Sequence, residues 1–114
     1  MNVPPVQQLS PEVCVAPQLQ PEAMAWAAQV GFKSVINNRP DFEEGPGQPT
    51  SATIEAAAHA AGLQYVHLPV QPAWQSPEEI ARFAELLVQL PKPILAFCRS
   101  GARSGKLYRA ATQA

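Results

Sequence analysis

The sequence predicts an α/β domain with three layers, in which a mostly parallel central sheet of four to five strands carries helices on both faces. Short apolar runs of strand length alternate with segments of helical composition, a pattern typical of parallel sheets. Proline, serine or threonine precedes helical segments, and glycine follows two of them. With 114 residues the chain suffices for one hydrophobic core but not two, so residues 1–114 are predicted to form a single domain.

The predicted strands are runs rich in apolar and β-branched residues. They cover residues 13–16, 33–37, 64–68 and 94–97. The last of them, Ile94-Leu95-Ala96-Phe97, is apolar at every position, which favours a strand covered on both faces.

The predicted helices cover residues 22–30, 55–61, 77–90 and 103–113. The third has the strongest signal, because Ser76 and Glu79 have the spacing of a capping box and Pro77 stands in the first turn. Thr50 or Ser51 can cap the second helix.

Composition limits the classes of partner. A formal net charge of -1 gives no general attraction to nucleic acid or to an anionic membrane, and we expect neither as a partner. The charges are unevenly distributed, however: every acidic residue lies at or before Glu85, whereas Arg99, Arg103, Lys106 and Arg109 follow it. This local positive potential suits a small anion.

The cysteine and histidine content argues against several kinds of site. Two cysteines, Cys14 and Cys98, cannot build the disulfide framework of a small secreted domain. We recognise neither a secretory leader nor an apolar run of the ~20 residues that cross a bilayer, so a cytoplasmic location is expected. Since the two histidines are far apart in sequence, no metal site is predicted, and no cofactor.

The segment Cys98-Arg99-Ser100-Gly101-Ala102-Arg103-Ser104 carries the strongest functional signal. It joins an apolar strand to a helix, where backbone amides, the helix N-terminus and arginines can stabilise a thiolate. Cys98 and Arg103 are therefore the predicted catalytic residues, and the predicted anion-binding loop comprises Arg99, Ser100, Gly101, Ala102 and Ser104. The alternative is that Cys98 is an inert buried residue, which is the interpretation we favour for Cys14.

Two other loops follow strands at the same predicted edge of the sheet, where ligands bind in such folds. Arg39 and Asp41 follow the second strand and Trp74 follows the third, so all three are candidate pocket residues. Structural roles remain open: Arg39 and Asp41 could form a salt bridge or a cap, and Trp74 could cover the core. His67 is predicted to be a hydrogen-bonded core residue.

The cysteine loop resembles the active-site loop of rhodanese-type sulfurtransferases, which begins with a persulfide-forming cysteine and often reads Cys-Arg-x-Gly-x-Arg. Residues 31–41 and 62–70 are instead similar to the framework of dual-specificity phosphatases. Both features occur together in the phosphatase-like domain of beta-lactamase hydrolase-like proteins, a resemblance that covers the chain from Val13 onwards. It implies a dual-specificity-phosphatase-like fold and an association with sulfur transfer, in some members beside a persulfide dioxygenase domain.

Two departures from cysteine phosphatases bear on the reaction. Those enzymes place five residues between nucleophile and arginine, whereas four separate Cys98 from Arg103, and the longer spacing ends on the uncharged Ser104. They also supply an aspartic acid after the third strand, but residues 70–76 contain no carboxylate. Asp41 could supply the proton from the other loop.

We therefore expect a cysteine-dependent sulfurtransferase of rhodanese type. Cys98 would take sulfur from thiosulfate or a low-molecular-weight persulfide, hold it as a persulfide, and pass it to a thiol or cyanide. A persulfide dioxygenase or another thiol protein is the expected partner. The alternatives are a protein tyrosine or dual-specificity-type phosphatase that uses Cys98 as nucleophile, and a non-catalytic docking module in sulfur metabolism.

Overall fold

The computed structural model describes residues 4–113 and contains a sheet of five strands. The strands are β1 (Gln7–Ser10), β2 (Val13–Ala16), β3 (Ser34–Asn37), β4 (Gln64–His67) and β5 (Ile94–Phe97). Their order in the sheet is β1-β2-β5-β3-β4, with β1 antiparallel to β2 and all other neighbours parallel. The prediction of a mostly parallel α/β sheet is confirmed.

Four helices cover the two faces of this sheet: α1 (Ala23–Gln29), α2 (Ser51–Ala60), α3 (Pro77–Gln89) and α4 (Ala102–Thr112). Helices α1 and α2 contribute to one buried cluster, and α3 and α4 contribute to the other. Along β5, Leu95 and Phe97 belong to the first cluster and Ile94 and Ala96 to the second. This alternation is the period of two expected for a strand buried on both faces.

Local hydrogen bonds set where two helices begin. The predicted capping box at α3 is present, since Ser76 and Glu79 each accept a backbone N–H from the other. Helix α2 begins at Ser51 behind the predicted cap Thr50, because Thr50 accepts the Thr53 N–H and Asp41 accepts the Ser51 N–H at 2.8 Å.

The central position of β5 determines where the cysteine loop lies. Phe97, its last residue, is paired with Ala16 of β2 on one side and Asn37 of β3 on the other. The segments that leave these three strands therefore start side by side at one edge. Within residues 4–113, no helix is long and apolar enough to cross a membrane.

Candidate active site

Cys98 follows β5 directly, and its side chain is almost completely buried, with a residue exposure of 1%. Its Sγ accepts a hydrogen bond from the Gly101 N–H at 3.1 Å, because the loop turns back at Gly101 in a left-handed conformation with φ 93°. A backbone dipole is therefore directed at the sulfur, an arrangement that supports a thiolate. Among residues 4–113, the backbone N–H groups of Arg99, Ser100, Arg103 and Ser104 donate to no protein acceptor, and successive unpaired N–H groups of this kind can bind an anion.

The turn at Gly101 lies tightly against the end of β2. A Cβ atom at this position would be 3.3 Å from the carbonyl carbon of Ala16. The position therefore requires glycine for two reasons, the positive φ and the close approach of two backbones.

Arg103 lies in the first turn of α4 and is only 7% exposed. Its Nη1 donates to Glu43 Oε2 at 3.0 Å and to the Val70 carbonyl at 3.1 Å, while Nη2 donates to Glu43 Oε1 at 3.1 Å. Arg103 thus connects the cysteine loop to the loops after β3 and β4. Its hydrogen bonds to described residues go to these loops and not to Cys98.

Glu43 and Glu44 link three arginines into one ionic network. Arg39 donates to Glu43 at 2.8 Å and to Glu44 at 2.7 Å, and Glu44 also pairs with Arg99 at 2.9 Å. Burial alone would raise the pKa of Glu43, but hydrogen bonds from Arg103 and Arg39 outweigh it, and the pKa lies below its ordinary value. Burial likewise works against the charge of Arg39, yet its carboxylate partners raise its pKa. The network therefore stabilises the charged forms of Glu43 and Arg39.

The side chain of Ser104 is directed into the protein interior and not towards an anion bound in the cysteine loop. Its hydroxyl donates to Asn38 Oδ1 at 2.8 Å, and the Asn38 amide donates to the Leu68 carbonyl at 3.0 Å. Ser104 and Asn38 are both fully buried. Together they fasten the start of α4 to the ends of β3 and β4.

Of the other residues considered in the sequence analysis, only Arg39 belongs to the ionic network of Glu43 and Glu44. Asp41 accepts the Ser51 N–H at the start of α2, and Trp74 is 66% exposed to solvent. His67 is half-buried, and its Nε2 lies 2.8 Å from the Arg39 carbonyl. Cys14 is half-buried on β2, where burial raises the pKa of its thiol.

Sequence reasoning missed Glu43 and Glu44, and it placed Lys106 in the basic C-terminal segment without assigning it to the site. Two adjacent carboxylates, in a long loop that reaches the same sheet edge as an arginine-rich loop, are the signal that could have indicated the ionic network. Lys106 lines a cavity of about 290 Å³ beside the cysteine loop. The residues lining it are Pro72, Arg99, Ser100, Ala102, Arg103 and Lys106.

Comparison of the whole sequence with known protein families agrees with this site. The site consists of a buried cysteine in a turn in which several backbone amides lack acceptors among the described residues, followed by an arginine. Residues 6–114 match the family model for the phosphatase-like domain of the beta-lactamase hydrolase-like protein. The chain belongs to this family. The predicted resemblance is thereby confirmed.

Named relatives extend this assignment. The chain is 41% identical over 78 residues to a beta-lactamase hydrolase-like protein of Agrobacterium fabrum, a match that covers 68% of this chain and 18% of the relative. The matched part of the chain therefore spans less than a fifth of the length of that relative.

Solved structures share the fold of this phosphatase-like domain. A candidate phosphatase of Neisseria meningitidis has 33% identity and a TM-score of 0.81, with 89% of this chain and 71% of the other covered. A second candidate phosphatase, of Shewanella putrefaciens, has 21% identity and the same TM-score of 0.81, covering 96% and 68%. The family model describes a phosphatase-like domain and the 33% identical neighbour is a candidate phosphatase, so the comparisons support the phosphatase alternative better than the sulfurtransferase.

Proposed function

We propose that this domain is a sulfurtransferase in which Cys98 carries the transferred sulfur as a persulfide. The proposal rests on one observation, that the carboxyl groups around the cysteine loop already accept hydrogen bonds from other groups of the chain. Asp41, Glu43 and Glu44 each accept hydrogen bonds from other parts of the chain, and residues 70–76 contain no carboxylate.

Engaged carboxylates matter because the two reactions differ in their need for a proton. An alkoxide or phenoxide that leaves a phosphate monoester must be protonated as it departs. Sulfite and thiolates leave as stable anions and have no such requirement. A site without a free acid therefore suits sulfur transfer better than hydrolysis of ordinary phosphate monoesters.

In the first step, the Cys98 thiolate attacks the outer sulfur of thiosulfate. A bond forms between Sγ and that sulfur, the bond to the sulfonate sulfur breaks, and sulfite leaves with the electron pair. In the second step, a thiolate or cyanide attacks the outer sulfur of the Cys98 persulfide, and Cys98 leaves as thiolate. The Gly101 N–H, which donates to Sγ at 3.1 Å, would stabilise the negative charge on the sulfur in both steps.

A phosphatase is the second candidate, and the comparisons favour it. The family is described by a phosphatase-like domain, and a neighbour with 33% identity is a candidate phosphatase. In that case Cys98 would attack phosphorus, and substrates with a leaving group that is stable without a proton would react best.

The deciding experiment is the intact mass of the reduced protein before and after thiosulfate. We expect the wild type to gain one sulfur atom that cyanide removes, and Cys98→Ser to gain none. Cys14→Ser is the matched control, since it removes the other thiol and should still gain the sulfur.

A parallel assay compares 4-nitrophenyl phosphate with phenyl phosphate, because only the second needs a proton donor for its leaving group. No sulfur adduct, together with Cys98-dependent phosphate release, would overturn sulfur transfer and support the phosphatase. Hydrolysis of phenyl phosphate at a similar rate would further show that an acid is available.

A further inference from the structure

The cavity of about 290 Å³ beside the cysteine loop has a one-sided charge distribution. Arg99, Arg103 and Lys106 line it, and none of its other lining residues is acidic. Small-molecule sites have volumes of about 300–1,000 Å³, so this cavity has room for a molecule larger than a bare inorganic anion.

The three cations differ in how far their charges are compensated. Arg103 is paired with Glu43, and Arg99 is paired with Glu44. Lys106 is exposed and forms no side-chain hydrogen bond or ion pair with any residue from 4 to 113. It therefore supplies the uncompensated positive charge of the cavity.

Lys106 also has a defined position relative to the cysteine loop. It lies one helical turn after Ala102, or roughly 6 Å further along the axis of α4. Ser100 and Ala102 of the loop line the same cavity, so a substrate whose reacting group is held at the loop can extend through this cavity towards Lys106.

From this arrangement we infer that Lys106 binds a second, non-reacting anionic group on the substrate, and that the substrates are small molecules with an anionic tail. The inference rests on the proposed chemistry at Cys98 and adds a substrate class to it. A carboxylate or a phosphate on the tail would satisfy the same lysine, since either forms a charge-assisted hydrogen bond with an ammonium group.

The test compares two sulfur donors that differ only in the tail, the persulfides of 3-mercaptopropionate and 3-mercaptopropanol. Lys106→Gln should lower the preference for the carboxylate donor about two- to fivefold, mainly through KM, as expected for one exposed ion pair. Lys106→Arg should retain the preference. Lys33→Gln is the matched control, because Lys33 is an exposed lysine that directly precedes β3, at the opposite edge of the sheet from the cysteine loop.

A second readout needs no turnover: the ratio of Cys98 alkylation rates with iodoacetate and iodoacetamide, measured on the Cys98 peptide with the Cys14 peptide as internal standard. Lys106→Gln should lower this ratio to a similar extent. If it does so in a protein that accepts no sulfur, the proposed function fails and the anionic subsite stands. If neither ratio differs between Lys106→Gln and Lys33→Gln, the subsite is overturned, whether or not a sulfur adduct forms.

Discussion

Glu43 accepts hydrogen bonds from both terminal nitrogens of Arg103, at 3.0 and 3.1 Å, across 60 positions of sequence. The carboxylate comes from the loop after β3, and the guanidinium belongs to the first turn of α4. This paired contact fixes the plane of the guanidinium, because two parallel hydrogen bonds allow one orientation. The shape of the cysteine loop therefore depends on a residue outside it.

Replacing Glu43 with Gln should destabilise the protein and reduce its activity. The variant loses the charge shared by Arg39 and Arg103, and its amide group can donate towards them, so we expect a loss of about 2 kcal/mol in the free energy of unfolding. Urea denaturation and the rate of sulfur uptake measure the two effects. Glu44→Gln is the control: one of its arginine partners is exposed, and it should cost under about 1 kcal/mol. Equal losses in both variants would contradict this ranking.

The lowered pKa of Glu43 predicts a specific dependence of stability on pH. Its ordinary pKa is 4.5 and its folded pKa is lower, so the unfolded chain binds more protons in acid. The stabilisation is complete above pH 4.5 and is lost as the pH falls through the folded pKa. The difference in unfolding free energy between wild type and Glu43→Gln should therefore shrink as the pH falls from neutral to about 3. A difference that stays constant over this range would argue against it.

Gly101→Ala should impair the reaction more than it impairs folding. A left-handed conformation costs a residue with a Cβ about 1 kcal/mol, and the new methyl group would press on Ala16 and displace the N–H that faces Cys98. Gly62→Ala is the matched control, since Gly62 has φ 85° and nothing within 4 Å of an added Cβ. Both variants should lose stability in thermal unfolding, but only Gly101→Ala should lose most of its sulfur uptake.

Asp41→Asn separates a structural aspartate from a catalytic one. Since Asp41 accepts the Ser51 N–H at the start of α2, the substitution should cost no more than about 1 kcal/mol of stability. Turnover should change little, whereas loss of a general acid would lower it about a hundredfold or more. The measurement is kcat with phenyl phosphate and with thiosulfate. A large fall with phenyl phosphate alone would restore Asp41 as a proton donor.

Elements with local signals were predictable from the sequence. The bounds of β2 and β5 agree with their apolar runs, and α3 begins at its capping box. The sequence pattern did not indicate β1, because Gln7–Ser10 is a polar edge strand without regular alternation. The cap of α2 at Thr50 was predicted as well, whereas the support from Asp41 was not, since Asp41 precedes the helix by ten residues.

In the candidate site, too, the parts with a local sequence signal were predictable and the parts that depend on distant contacts were not. The cysteine loop is a contiguous motif and could be recognised directly, including its glycine turn. The role of Glu43 depends on a contact with Arg103 across the sheet edge, which no local pattern encodes. For Trp74 the local pattern was misleading. Its position after a strand indicated a pocket wall, but the folded loop leaves it largely exposed to solvent.

The attachments of the cysteine loop have a consequence for protein engineering. Gly101 rests on the end of β2, Ser104 is bonded to the residue after β3, and Arg103 reaches the loop after β4. Each attachment comes from a different strand of the sheet. Grafting residues 98–104 alone onto another scaffold would therefore transfer the motif without its conformation, and a working transplant must carry the ends of those strands with it.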